Sequence, residues 1–249
     1  AAEVDPQDHE LASHIARDLF DLELPEEGER WYGRVQALAP GSAIARSMEI
    51  QRAVARNEDQ HALELARAAI TDRIGMRQGS FPDAVFIYVE LMLDKDRAKE
   101  AYDFLVSVRP EIANYDQLTG DFHGMIMQWA SFALLSDFET FENRKAAWQS
   151  FTAQMNAMGF PWLQDPDDNN FTWDFVIRGE LDKAIDHYLE RRLTRPLASN
   201  LRRHTKQLYP LFSPVYEDPR VAAKLADEAR RFVQVREDVQ AMLQRPEWN

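Results

Sequence analysis

Cysteine is absent from this chain, so disulfides, thiolate metal sites and cysteine nucleophiles are excluded at once. That absence is compatible with an envelope setting and with a cytoplasmic one. Glycine is scarce, nine in 249 residues, and neither Asn-Gly nor Asp-Gly occurs. The shortage counts against a sheet built from tight hairpins and favours an all-α protein. Long hydrophobic runs are missing too: the longest uninterrupted one, Ala84 to Val89, is far short of the roughly 20 residues a spanning helix requires. Positive charge is in deficit, with 29 lysines and arginines against 42 acidic residues and a net charge of −13. A field of that sign repels phosphate backbones, so nucleic acid is not expected among the partners.

What the chain does have is a repeated spacing. Ala98-x3-Tyr102-x7-Pro110 and Ala184-x3-Tyr188-x7-Pro196 match each other, and Gly28-x3-Tyr32-x7-Pro40 matches both with glycine for alanine. Recurrence along a chain marks a repeat architecture. Taking the proline as the end of a unit gives helix pairs over about 9–40, 43–74, 79–110 and 165–196, with an irregular hairpin over 111–161. Successive ends fall 34, 36, 51 and 35 residues apart, and the interval of 51 implies two extra-long helices. Leu11, Ile15 and Leu19, then Trp31, Val35 and Leu38, recur at helical spacing. Pro25 and Gly28 mark the turn between those helices. Later turns are read at Asn57-Glu58-Asp59, at Asp94-Lys95-Asp96 and at Arg178-Gly179-Glu180-Leu181-Asp182, and Ser42 is an N-cap. Residues 197–249 read as a linker, irregular through Pro210 and Pro214, and then a long helix from Pro219. Its seam of Val221, Leu225, Phe232, Val235, Val239 and Met242 is broken at Glu228. Such a helix caps the open end of a repeat stack, with a short coiled-coil dimer as the alternative.

At Gly179-Glu180-Leu181-Asp182-Lys183-Ala184-Ile185-Asp186-His187-Tyr188, closed by Pro196, the chain resembles a tetratricopeptide repeat. That pattern has glycine at the inter-helix turn, alanine and an aromatic four apart on the second helix, and a terminal proline. The resemblance covers about residues 9–196 and is strongest over 165–196, while 43–74 keeps only Ala62, Ala66 and Ala69. It departs in the middle of the first helices, where Ala16 supplies the small residue but Ile50, Phe86 and Thr172 do not, and at Arg191. It implies an α-α superhelix of helical hairpins whose first helices line a concave groove holding an extended or helical peptide. Carried over by register, the groove positions are Arg17 and Phe20, Gln51, Ile87 and Glu90, and Asn169 with Trp173. Amides and arginine suit backbone or carboxylate groups, and Trp173 and Phe20 suit apolar anchoring. Residues 216–243 are similar to tails that follow such repeats in bacterial signalling proteins, membrane-anchored cyclases and winged-helix regulators among them. Together with Ala1 in place of an initiating methionine, this leads to the expectation of a soluble piece of a longer bacterial protein, cytoplasmic or periplasmic. Its oligomeric state is left open.

Stretches that suggest chemistry lose it on spacing. His9 and His14 lie five apart rather than four, about 140° around a helix. Glu58-x-x-His61 is half of a di-iron set whose other half is missing. The oxygen-rich stretch from Asp165 offers Asn170 and Val176 where a calcium loop needs glycine and glutamate. No metal and no cofactor are therefore expected. With no glycine-rich phosphate loop, nucleophile elbow or triad, neither is an enzyme. Arg191, Arg192, Arg202 and Arg203 lie in a stretch without acidic residues, a candidate site for a phosphorylated partner or lipid head group, against plain pairing with the acidic surface. The expectation is a non-catalytic scaffold for a protein or peptide partner. A small-molecule sensor built on Trp129, Phe132, Trp148 and Phe151 is the rival, and an enzyme with a non-motif site comes third.

Overall fold

The computed structural model describes residues 8–72, 81–115, 121–138, 140–157, 169–190 and 212–245, without the side chains at 81, 82, 122, 135–138, 141, 144, 156, 169–171 and 173. Among those residues there is no strand. The helices are α1 (His9–Asp21), α2 (Pro25–Leu38), α3 (Ala43–Ala55), α4 (Asp59–Thr71), α5 (Phe81–Leu93), α6 (Ala98–Val108), α7 (Phe122–Phe138), α8 (Phe141–Ala157), α9 (Asn169–Arg178), α10 (Leu181–Glu190), α11 (Ser213–Tyr216) and α12 (Pro219–Leu243). A 3-10 turn, Pro110–Ala113, follows α6. The fold is all-α, and among the described residues no helix is long and apolar enough to cross a membrane.

One backbone motif closes four helix pairs. A single residue in the left-handed region stands between the helices: Glu23 (φ 57°), Asn57 (59°), Asp96 (54°) and Gly179 (78°). Its N–H donates to the carbonyl three residues back, and the next N–H donates five residues back, as in Glu23 to Phe20 and Leu24 to Leu19. The same pair of bonds recurs at the other three turns, all between 2.9 and 3.1 Å. It satisfies the last carbonyls of the first helix. The second helix then starts two residues on, at Pro25, Asp59, Ala98 and Leu181.

Counting from that residue exposes the packing rule. Five residues later stand Gly28, Ala62, Ala101 and Ala184, all buried. Three residues earlier stand Phe20, Val54, Leu93 and Val176. A Cβ placed on Gly28 would lie 2.6 Å from Cδ1 and Cε1 of Phe20, so these helices approach closely only because Gly28 has no side chain. Where the first helix brings valine or leucine instead of phenylalanine, the second helix carries alanine. Gly28 therefore does not belong to the turn, as its position beside Pro25 suggests. It lies one turn inside α2, and Glu23 makes the reversal. The same count places Ala101 and Leu105, rather than Ala98 and Tyr102, where Ala184 and Tyr188 stand. Pro110 follows its left-handed residue by fourteen positions, against seventeen for Pro40 and Pro196, so counting back from Pro110 slips by three residues. A slip of almost one helical turn leaves the apolar pattern intact.

Two compact units are present. The first comprises Ala1–Leu91, Pro196–Asn200 and Ala229–Asn249. Within it α1, α2 and α3 pack pairwise, and α4 packs on α3. Ala12, Val35 and Ala45 form one buried cluster with Trp31 and Ile44 beside it, and Ala16, Phe20 and Met48 form another. Asp8 and Ser42 cap α1 and α3 by accepting from Leu11 N at 2.9 Å and Ala45 N at 3.1 Å. Glu29 on α2 accepts from Arg52 Nε at 2.6 Å and pairs with Arg56 Nη2 at 2.8 Å, tying the first hairpin to α3. From α12, Phe232 is buried and Arg236 pairs with Glu23 at 3.0 Å.

The second unit comprises Met92–Arg195 and Leu201–Glu228. Its helices α6 to α11 pack in chain order. Helices α7 and α8 run 17 residues each, longer than the helices of the four pairs. Phe132, Trp148 and Phe151 are buried with ring centroids 5.1 and 6.2 Å apart. Trp148 Nε1 donates to the buried Asp174 Oδ1 at 3.1 Å, fixing α8 against α9. Lys224 Nζ donates to the carbonyls of Tyr188 and Leu189, both at 2.9 Å, closing the C-terminal end of α10. Between Pro210 and Pro219, where proline content suggests irregular chain, α11 forms a helical turn with Val215 and Tyr216 buried.

Gly28→Ala is expected to destabilise the chain by about 1–3 kcal/mol through overpacking, and adding Phe20→Val, which recreates the valine-alanine pairing of the other hairpins, to recover most of the loss. Denaturant titration of both variants measures this. Gly179→Ala is expected to cost about 1 kcal/mol by placing a Cβ at positive φ, and Asp96→Gly to shift the unfolding midpoint the other way.

Candidate functional site

The turn register assigns each first helix one residue six positions before the left-handed residue: Arg17, Gln51, Glu90 and Trp173. Each follows a buried residue, Ala16, Ile50, Val89 and Thr172 respectively, that faces the core. Arg17, Gln51 and Glu90 are half-buried. In the first unit α1 packs against α3, and α3 reaches α5 through Asp83. Ser47 Oγ and Gln51 Nε2 both donate to Asp83 Oδ2, at 3.4 and 3.5 Å. Side chains thereby link α3 to α5, as packing links α1 to α3.

The side chains on this layer have distinct environments. Arg17 Nη2 donates to His14 Nδ1 at 2.9 Å. Gln51 Oε1 is shielded from solvent and accepts no hydrogen bond. Glu90 and Asp83 lie seven residues apart on α5, on one face of the helix. Ile87 is half-buried but stands nine residues before the turn, out of line with Arg17 and Gln51. Phe20 requires correction as a groove anchor: only 6% exposed, its ring is committed to the contact with Gly28. In the second unit Trp173 and Asn169 are on α9, with side chains outside the described residues. The helix that carries them is held on two sides, since Thr172 Oγ1 meets His187 Nδ1 of α10 at 2.7 Å and Asp174 accepts from Trp148 Nε1 of α8 at 3.1 Å. Arg191, Arg192, Arg202 and Arg203 lie outside the described residues.

Ser47 and Asp83 escaped the sequence reading. Asp83 lies 27 residues before Pro110, as Asn169 lies 27 before Pro196, so the proline count that picked out Asn169 also reaches Asp83.

Displaced titrations occur at helix ends and helix pairs. The Arg109 guanidinium holds the Asp121 carboxyl down to about 2, helped by the Gly124 N–H that Asp121 caps. Arg109 is pushed up by the same bond and by Glu111. Arg52 is raised through its bond to Glu29. Burial raises the Tyr115 phenol, although Ser131 hydrogen-bonds its hydroxyl at 2.9 Å. Among the described residues no three histidine, aspartate or glutamate side chains form a metal-holding group. Compared with protein-family models, curated proteins and solved structures, the chain matches none.

Because the folded carboxyl of Asp121 is depressed, its pairing contributes fully above the unfolded value near 4 and is lost as pH falls towards 2. Arg109→Gln is therefore expected to flatten the loss of stability between about pH 4 and 2. The difference from the parent chain should shrink in 1 M salt, because Asp121 is 46% exposed. Urea midpoints measured across that window test it.

Proposed function

We propose that the chain is a non-catalytic scaffold that binds a peptide or protein segment along the exposed faces of its first helices, in a tetratricopeptide-like superhelix. One observation carries the reading. Helices α1 and α3 pack together and Asp83 ties α3 to α5, while the shared turn puts Arg17, Gln51 and Glu90 at one level on successive helices. A row of chemically different side chains repeated at one register is what reading an extended segment requires. Trp173 occupies the corresponding position in the second unit. The aromatic set of the rival sensor reading supports it less well, since Phe132, Trp148 and Phe151 pack on one another at tilted angles within a shared core.

Random peptides selected on the immobilised chain are expected to lose about tenfold or more in affinity on Gln51→Ala and on Trp173→Ala, the loss typical of a principal contact. Lys99→Ala on the exposed face of α6 should change nothing. Thermal unfolding checks that each variant folds. Selected peptides that bind both first-helix variants as tightly as the parent chain would retire the proposal.

A further inference from the structure

No further inference is drawn: the strongest candidate, the outward face of α12 around Val233, Glu237 and Ala241, is an exposed helix face, and nothing in the structure shows what covers it.

Discussion

The architecture depends on how closely two helices can approach just after they are joined. A left-handed residue ends the first helix, and five residues later stands a buried glycine or alanine, which in the first pair lies against the ring three residues before the turn. Close packing makes that contact unforgiving: a phenylalanine on one side requires glycine on the other, whereas valine and leucine accompany alanine. Everything outward follows from it. Fixing the reversal and the approach fixes which residues of each first helix face the core and which remain on the outer layer. Side-chain chemistry can then vary at Arg17, Gln51, Glu90 and Trp173 while the hairpin that carries them stays the same.

Much of this was legible because turn chemistry is local. Asn57 and Gly179 are residue types that tolerate positive φ, Ser42 is an ordinary cap, and the long interval between Pro110 and Pro161 does contain two longer helices. Glu23 is a poor advertisement for a left-handed residue, since glutamate is a good helix former with no preference for positive φ. Gly28 was read as punctuation because a glycine near a proline resembles a turn, and its true role depends on the ring of Phe20 across the hairpin. The register of the third pair failed for a different reason. A displacement of three residues barely rotates a helical pattern, so periodicity cannot detect it, and only the turn at Asp96 fixes it.

The candidate site was half legible for the same reason. Gln51 and Glu90 emerged from register, whereas the contact of Ser47 with Asp83 became visible only when α3 and α5 were brought together. Phe20 looked like an anchor because an aromatic on a first helix can face either layer, and nothing local says which. The displaced carboxyl of Asp121 and the bonded arginines Arg109 and Arg52 stabilise helix ends and neighbouring helices. In the first-helix layer Gln51 Oε1 keeps unspent hydrogen-bonding capacity, a property suited to recognition.

The absence of cysteine makes the central claim directly measurable, because labels can be attached at introduced thiols alone. Nitroxides at positions 17 and 51, and in a second sample at 51 and 90, report whether successive first helices lie side by side at the roughly 8–10 Å of packed helices. Strong dipolar broadening in both samples is the predicted result. Broadening at 17 and 51 with none at 51 and 90 would contradict the account, since α5 would then not continue the row begun by α1 and α3.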